Sequence, residues 1–398
     1  MTPAEADKLI GEHLQCLPIE SLPLPQCAGA VLRENVYAER DQPPFDRVAM
    51  DGIALDSAAV KAGTRAFKIQ AMQAAGDAPL TLDSPALCIE VMTGAMLPKG
   101  CDAVVPVEQI EVVEGEARLG PNVAPDQWLN VHRRASDKRQ GSLLLTAGAR
   151  LTAPEIAIAA SAGMARVRVS LHPAVVVIST GNELIEPGEP ILPHQIRRSN
   201  VYGVVAALRQ RGFQRIADDH VPDDAAQLKT RLKFHLDTHD VLILSGGVSM
   251  GRLDLVPQVL EELGVRMVFH KVEQRPGKPL WFGIAGTGPA VFALPGNPVS
   301  TLVCLARYVM PALFASMGQS NPSIEKIALA NPVEVSSRLA YFMPVQIESD
   351  EWGRPWAQPR PTNGSGDFTA LAGTDGFVEL PPGPNLYPKG FVTRLYRW

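Results

Sequence analysis

A short apolar run leads directly into a glycine-rich segment at residues 241–251 (VLILSGGVSMG). Residues 290–301 (AVFALPGNPVST) repeat this arrangement and continue into a helical pattern, and residues 275–279 (RPGKP) place two cations in a stiff turn between them. Glycines let a backbone approach a ligand closely, while helix N-termini and exposed backbone N–H groups favour anions. The stretch from residue 241 to residue 301 therefore predicts a phosphate or oxyanion site. The candidate binding residues within it are Gly246, Gly247, Gly277, Pro295, Gly296 and Asn297.

Strand and helix patterns alternate from residue 173 to about residue 319. The predicted strands are residues 174–178, 241–244, 265–269 and 290–294, and the predicted helices are about 201–211, 225–235, 255–263 and 300–317. Strands this apolar are buried on both faces, which favours a parallel sheet with helices on both sides. Ligands bind such sheets at the carboxyl ends of the strands, where the glycine loops fall. Thr180 and Gly181, in a third such loop, join the candidate binding residues.

The remaining segments predict three further parts. Capping boxes at residues 2–5 (TPAE) and 152–155 (TAPE) open two helices, which we expect to pack together around an inserted β-rich stretch. Short β-type runs dominate that stretch and return in the last 80 residues or so. We expect a discontinuous N-terminal helical domain (1–35 and 140–170), an inserted β domain (36–139), an α/β domain (171–320) and a C-terminal β domain (321–398).

Composition excludes several classes of protein. The 398 residues are 46% hydrophobic and 20% charged with a net charge of −5, so neither bulk nucleic-acid binding nor membrane binding is expected. Five scattered cysteines without a C-x-x-C pair argue against a disulfide framework or zinc ribbon and fit a reducing cytoplasm. The sequence shows no export leader and no run of about 18 apolar residues, which predicts neither export nor a membrane span.

Two enzyme motifs at the first glycine loop are incomplete. Gly246 and Gly251 have the spacing of a nucleotide P-loop, but Arg252 and Leu253 replace its lysine and serine or threonine. Residues 247–251 match the G-x-S-x-G elbow of serine hydrolases in a strand-to-helix context. Only one histidine, His270, follows Ser249, and no oxyanion loop is present. A P-loop is therefore disfavoured, and a serine hydrolase is a distant alternative.

Carboxylates lie beside the glycine loops. Glu183, Asp223, Asp224 and Asp254 fall at the predicted sheet edge. Each alone is commonly a helix cap, but together they suit Mg²⁺, which prefers one or two carboxylates plus phosphate oxygens. The cations Arg275 and Lys278 either bind an oxyanion or solvate a turn.

The combined motifs resemble those of the molybdopterin molybdenumtransferase family, which includes the E domain of gephyrin. The matching stretches occur in family order across about residues 10–320. They are residues 44–46, 49–52, 92–95, 100–105, 179–184, 245–251, 276–279 and 294–300.

The resemblance implies a multidomain α/β protein. Its parts are a parallel three-layer α/β molybdopterin-binding domain, a discontinuous helical domain, an inserted β domain and a C-terminal β-barrel-like domain. It also implies an elongated cytoplasmic homodimer, with each site lined by the α/β domain of one subunit and the inserted domain of the other. The implied reaction inserts molybdate into the dithiolene of adenylylated molybdopterin with Mg²⁺-dependent release of AMP. Molybdopterin adenylyltransferase or molybdoenzymes are the implied protein partners.

Residue roles follow from the same resemblance. The implied catalytic residues are Asp51, Asp137, Glu183, Asp254 and Lys278, and the implied metal ligands are Glu183, Asp223, Asp224 and Asp254. Ser249, Arg275, Pro298 and Ser300 correspond to the molybdate and pterin-phosphate end. Thr93 and Ser365 complete the substrate-binding set, Ser365 resembling a family serine near the oxyanion.

Several positions depart from the family pattern. Arg47-Val48 stands where Asn-Ser is usual, Ala135-Ser136 where Gly-Glu is usual, Arg198 at a usual aspartate, Arg275 at a usual lysine, and Met343 at a usual arginine. Arg47, Arg198 and Met343 favour one alternative, a non-catalytic paralogue that carries molybdopterin or serves as a scaffold. Retention of Asp51, Glu183, Asp254 and Lys278 favours the transferase. An adenylyltransferase on the same α/β domain is a further alternative, which the inserted region disfavours.

Overall fold

A computed structural model describes residues 1–247, 255–286, 288–320, 324–335 and 338–398. The chain forms two compact units. The first comprises Met1–Glu34, Ala147–Thr152 and Arg166–Trp398, and the second comprises Asn35–Thr146 and Ala153–Ala165.

The secondary structure alternates short helices with many strands. The helices are α1 Pro3–His13, α2 Ser57–Lys61, α3 Ala153–Ser161, α4 Ser199–Gln210, α5 Ala225–Thr238, α6 Val256–Glu262, α7 Pro298–Cys304 and α8 Met310–Ser316. Strands β1 to β12 are Ile19–Pro23, Val36–Tyr37, Arg47–Val48, Gly52–Leu55, Ala66–Gln73, Leu87–Val91, Ala103–Pro106, Ile110–Val113, Glu116–Leu119, Val131–His132, Leu143–Leu145 and Arg166–Ser170. Strands β13 to β21 are Val175–Thr180, Leu184–Ile185, Ile196–Arg197, Ile216–Val221, Val241–Ser245, Val265–His270, Gln274–Arg275, Trp281–Ala285 and Ala290–Leu294. Strands β22 to β28 are Lys326–Leu329, Val333–Glu334, Ala340–Ser349, Pro355–Pro359, Gly376–Leu380, Leu386–Tyr387 and Val392–Arg397.

A six-stranded sheet in the order β16-β13-β17-β21-β20-β18 forms the centre of the first unit. Its first four strands are parallel, as the apolar runs predict. The sequence does not predict β16 or β20, and β20 pairs antiparallel with both neighbours, so the sheet is not wholly parallel. The connection from β20 to β21 spans residues 286–289. A link this short joins only antiparallel strands, because a parallel crossover needs a dozen residues or more.

Helices cover both faces of this sheet. Alternate residues of β13 and β17 face opposite sides: Val177 and Ile243 join a core with α4 and α8, while Val176 and Leu242 join a core with α5 and α6. Helix α1 adds Ala6 to the first of these cores. The predicted three-layer α/β arrangement is therefore confirmed.

Helices α7 and α8 are continuous through a π-helical turn at Leu305–Val309. Of the described residues, Pro298–Ser316 alone form a helix long and apolar enough to cross a membrane by length and composition, and 72% of its most apolar 18-residue window is buried inside the protein. The sequence predicts this helix, at about 300–317, without predicting a membrane span. Buried Arg307 interrupts the apolar run and binds Asp7 of α1 through two hydrogen bonds of 2.7 and 2.8 Å.

The second unit is built on a six-stranded sheet in the order β7-β4-β6-β5-β9-β8. Between residues 36 and 139, all of them described, the longest helix is the five-residue α2, in agreement with the sequence. Helix α3 belongs to this unit and contacts β11. Its expected packing against α1 stays a prediction. Burial of a single α3 residue, Ala159, explains why its sequence pattern does not specify a partner.

The C-terminal strands form a closed barrel. Strands β24, β25, β22, β28 and β26 pair in that order, and β24 also pairs with β26, which closes the ring. Strand β19 joins the barrel beside β24. The interior is apolar and includes Leu329, Val345 and Val378. The expectation of a β-barrel-like C-terminal domain is confirmed. All five cysteines are free, as their spacing predicts.

Candidate functional site

A pocket of about 550 Å³ opens at the carboxyl ends of β13, β17 and β21. Its lining includes the predicted site residues Thr180, Glu183, Gly246, Gly296, Asn297 and Pro298. The first residues of α4 and α7 also line it, so two helix N-termini meet at the pocket. Because helix N-termini present backbone N–H groups and a positive dipole end, this wall of the pocket favours an anionic group.

The loop after β17 requires glycine because of Thr180. Gly246 adopts a positive φ of 102°, and a Cβ there would lie 2.8 Å from the Thr180 carbonyl oxygen. At Gly247 a Cβ would lie 2.9 Å from Thr180 Oγ1. The two glycines therefore let the β17 loop pack against the end of β13. Their predicted role in close approach to a ligand stays a prediction.

Within the described part of the chain, the side chains of Thr180 and Asn200 each have one polar atom at the pocket without a hydrogen-bond partner. Thr180 is only 5% exposed and its Oγ1 is unpaired, as is the side-chain carbonyl oxygen of Asn200. The Asn200 amide nitrogen donates to Ser245 Oγ at 2.9 Å and to the Gly296 carbonyl at 2.8 Å, which ties the end of β17 to the loop after β21. Leaving buried polar atoms unpaired costs free energy, so these atoms are candidates for pairing with a bound ligand.

The loop after β21 binds the barrel. Asn297 Nδ2 donates to Ser365 Oγ at 2.7 Å, and the Val299 backbone N–H donates to the Ser365 carbonyl oxygen at 3.1 Å. Thr301 Oγ1 donates to the Pro295 carbonyl at 2.6 Å, which fixes the turn before α7. Ser300 is buried within α7. The structure thus brings the predicted residue Ser365 to the predicted loop.

The cationic turn does not line the pocket. Arg275 and Lys278 are exposed, while Gly277 is buried and a Cβ there would meet Cys304 Sγ at 2.6 Å. The glycine is thus explained by packing. A role of the two cations in anion binding stays a prediction.

Asp51 and Thr93 form a pair in the second unit. The Thr93 backbone N–H and hydroxyl both donate to Asp51 Oδ1, at 2.6 and 2.8 Å. These two bonds hold the pKa of Asp51 below its ordinary value, so Asp51 is a carboxylate at neutral pH. Asp137 is exposed, with Ser136 Oγ 3.2 Å from its Oδ1.

The predicted metal carboxylates differ in what they contact. The Glu183 carboxylate lies over Gly181, where a Cβ would be 2.5 Å from Oε2. Asp223 Oδ2 accepts the Asn182 N–H at 3.3 Å, and Asn182 Oδ1 accepts the Asp223 N–H at 3.1 Å. Asp224 caps α5 by accepting the Gln227 N–H at 2.8 Å. In the part of the chain that is described, no three His, Cys, Asp or Glu side chains form a group that could hold a metal. Asp254 and Ser249 lie outside the described residues.

Sequence reasoning missed several residues that line the pocket. They are Ser179, Leu184, Ile196, Arg197, Arg198, Ser199, Asn200, Val201, Ser245, Gly366 and Phe368. Residues 196–201 (IRRSNV) directly precede or begin a helix, a position that could have marked them.

The remaining departures from the family pattern lie elsewhere. Arg47 Nη2 is 3.3 Å from His132 Nδ1 in the second unit, and Met343 is buried in the barrel core.

Comparison with known proteins gives a consistent picture along the whole chain. The family models "MoeA N-terminal region (domain I and II)", "Probable molybdopterin binding domain" and "MoeA C-terminal region (domain IV)" match residues 1–163, 176–315 and 326–392. The chain is 38% identical over 371 residues to a molybdopterin molybdenumtransferase of Synechocystis, covering 93% of each chain. It is 33% identical over 329 residues to molybdopterin molybdenumtransferase 2 of Mycobacterium tuberculosis, covering 80% of each.

Solved structures agree with these matches. Two structures of the molybdopterin biosynthesis MoeA protein from Pyrococcus horikoshii superpose with TM-scores of 0.80 and 0.82, at 30% and 25% identity. Both cover all of this chain, which in turn spans 98% and 100% of theirs.

Proposed function

We propose, because the chain belongs to the molybdopterin molybdenumtransferase family, that the pocket at the ends of β13, β17 and β21 is where adenylylated molybdopterin and molybdate meet. The enzyme inserts molybdate into molybdopterin in the biosynthesis of the molybdenum cofactor. The observation that supports this location is the convergence of separately predicted loops, carrying Thr180, Gly246 and Asn297, on one cavity.

The pocket suits a substrate that combines anionic groups with a polar ring system. The starts of α4 and α7 line the cavity, and the first turn of α4, which has no side-chain cap, would orient phosphate or molybdate oxygens through its backbone N–H groups. The unpaired Thr180 hydroxyl and Asn200 carbonyl would take part in hydrogen bonds to the neutral part of the substrate. Binding both partners in one cavity supplies the proximity that the transfer needs.

Magnesium fits part of the predicted carboxylate set. Glu183 lines the pocket, and Asp223 bonds the neighbouring residue, Asn182, whereas Asp224 already serves as a helix cap. Since Mg²⁺ is held by one or two carboxylates plus substrate phosphate oxygens, Glu183 and Asp223 are the described residues that would hold it. Bound there, Mg²⁺ would neutralise charge on the phosphate that leaves with AMP. Asp254 stays a further proposed ligand.

Other features of the proposal come from the family resemblance. They are a homodimer, a cytoplasmic location, the fourfold domain division given above, and participation of Asp51, Asp137, Ser249, Arg275 and Lys278 in the reaction. Molybdopterin adenylyltransferase or molybdoenzymes are the proposed protein partners.

The test is AMP release by the purified protein from adenylylated molybdopterin with Mg²⁺, with and without molybdate. Molybdate-dependent release that falls in Glu183→Gln supports the transferase and its site. Tight binding of the substrate without any release would instead indicate the carrier paralogue, and neither binding nor release would refute the proposal.

A further inference from the structure

Arg198 occupies a special position between the central sheet and one wall of the pocket. It lies between β15 and α4 and is only 8% exposed. The segment before it, residues 182–197, which we name the strap, contains β14 and β15 and contributes Glu183, Leu184, Ile196 and Arg197 to the pocket lining.

The guanidinium of Arg198 joins the strap to two strands of the sheet. Its Nε donates to Ser179 Oγ of β13 at 2.7 Å, and its Nη2 donates to Asp218 Oδ2 and to the Asp219 carbonyl oxygen of β16, both at 2.8 Å. Its Nη1 donates to Glu186 Oε2 of the strap at 3.1 Å. Four of the five N–H groups of a guanidinium are thereby used within the protein.

The charge of Arg198 is also balanced within the protein. The carboxylates of Glu186 and Asp218 both contact the guanidinium, and the Tyr202 hydroxyl donates to the other oxygen of Glu186. The hydrogen bonds from Tyr202 and Arg198 hold the pKa of Glu186 below its ordinary value, so Glu186 is charged at neutral pH. Arg198 therefore differs from a cation that is free to bind an anionic ligand.

We propose that Arg198 is a positioning residue for the transferase: it holds the strap, with Glu183, and the Ser179 hydroxyl in place at the pocket, and it does not bind the anionic substrate. This inference rests on the proposed function. Without the guanidinium, the carboxylates of Glu186 and Asp218 would lose the cation that they share, and the strap would lose its link through Arg198 to β13 and β16. Misplacing the strap would displace Glu183 from its working position.

The kinetic test compares Arg198→Gln with Arg231→Gln. Arg231 is the matched control because it bonds Asp219 of the same strand at 2.8 Å but does not line the pocket. We expect Arg198→Gln to lower kcat by roughly 10- to 100-fold while the KM for molybdate stays within about twofold, and Arg231→Gln to leave both unchanged. Arg198→Lys keeps the charge but not the forked geometry, so it should recover only part of kcat.

A rise of about tenfold or more in the KM for molybdate, with kcat unchanged, would overturn the proposal, since it would identify Arg198 as an anion-binding residue. Unchanged kcat and KM would overturn it as well. If Arg198→Gln does not fold, Glu186→Gln breaks a single bond of the same network and should lower kcat in the same direction. Both residues act on the strap. The double variant Glu186→Gln/Arg198→Lys should therefore lower kcat, relative to the wild-type protein, by less than the product of the two single effects.

Hydrogen exchange separates this inference from the proposed function. The Ile196 N–H bonds the Glu183 carbonyl at 2.8 Å and the Arg198 N–H bonds the Ile185 carbonyl at 3.0 Å, and both amides report on the strap. In Arg198→Gln or Arg198→Lys these amides should exchange faster than in the wild-type protein or Arg231→Gln. Equal exchange rates in the Arg198 variants and the wild-type protein would refute the claim that Arg198 holds the strap in place, even if the wild-type protein releases AMP. Faster exchange in a protein that releases no AMP would refute the proposed function alone.

Discussion

Asn297 and Ser365 are 68 positions apart, yet a 2.7 Å hydrogen bond from Asn297 Nδ2 to Ser365 Oγ joins them. Asn297 is the N-cap of α7 and lines the pocket, while Ser365 belongs to the segment between β25 and β26 of the barrel. The bond therefore links the sheet-edge loop to the C-terminal domain. Sequence reasoning placed each residue in the site separately.

This pair should behave as one unit. We expect Asn297→Ala and Ser365→Ala each to lower kcat/KM for AMP release, and the double variant to fall short of the summed effects by about 1 kcal/mol. The measurement is a double-mutant cycle on kcat/KM, with Ser349→Ala, at an exposed serine that ends β24, as a control. Strictly additive losses would show that the bond is not used in the site.

Gly246→Ala should damage the pocket more than a comparable glycine substitution elsewhere. The new Cβ would lie 2.8 Å from the Thr180 carbonyl oxygen at a φ of 102°, so the β17 loop must shift. We expect a loss of about 1–3 kcal/mol in the free energy of unfolding and a marked fall in activity. Gly264→Ala is the matched control, because Gly264 also has a positive φ but open space where its Cβ would be. Equal activity of the two variants would argue against the close approach of the loop to Thr180.

Two arginine–carboxylate pairs with similar geometry should contribute very different amounts to the free energy of unfolding. Arg307 is 4% exposed and contacts Asp7 and Glu379, whereas Arg397 is 48% exposed and contacts Glu325. Arg307→Met removes the buried cation that Asp7 and Glu379 share and should cost about 3–5 kcal/mol of unfolding free energy. Arg397→Met should cost less than about 1 kcal/mol.

Urea unfolding of the two variants measures this difference. The kcat of Arg307→Met at a temperature where it is folded should stay close to the wild-type value, because Arg307 does not line the pocket. Similar losses of unfolding free energy in both variants would contradict the prediction that the buried pair matters more than the exposed pair.

Asp219 should make the free energy of unfolding depend on pH in the acid range. Burial alone would raise its pKa, but hydrogen bonds from His235, Arg231 and the His220 N–H lower it below the ordinary value of 3.8. A carboxylate with a depressed pKa in the folded state stabilises the protein above its unfolded-state pKa, and this stabilisation is lost as the pH falls through the folded-state pKa. The stability difference between the wild-type protein and Asp219→Asn should therefore be full at pH 7 and shrink on acidification. Urea unfolding at a series of pH values measures it, and a difference independent of pH would contradict the prediction.

The apolar pattern was enough to predict the central strands and the glycine loops. Strands such as Ala290–Leu294 are continuous apolar runs, and a buried parallel strand requires that composition. Strand β16 escaped prediction because it lies at the edge of the sheet, where polar residues such as Asp218 and Asp219 are tolerated. Helix α3 buries too little surface for its sequence to specify where it packs.

The role of Arg198 was beyond sequence reasoning for a different reason. As a departure from the family pattern, it favoured the carrier alternative. Its partners Ser179, Glu186 and Asp218 come from three separate elements, so only the tertiary structure shows that its charge is balanced within the protein. A charged residue at a pocket therefore cannot be assigned to a ligand until its neighbours are known.

The most direct test of the central claim measures molybdenum bound to the pterin product by mass spectrometry, after incubation with adenylylated molybdopterin, molybdate and Mg²⁺. The wild-type protein and Lys229→Gln, at an exposed residue that does not line the pocket, should yield one molybdenum per AMP released. Glu183→Gln should yield AMP and the molybdenum-containing pterin at least about tenfold more slowly than the wild-type protein. AMP release without molybdenum in the product, or full activity in Glu183→Gln, would contradict molybdenum transfer at this pocket.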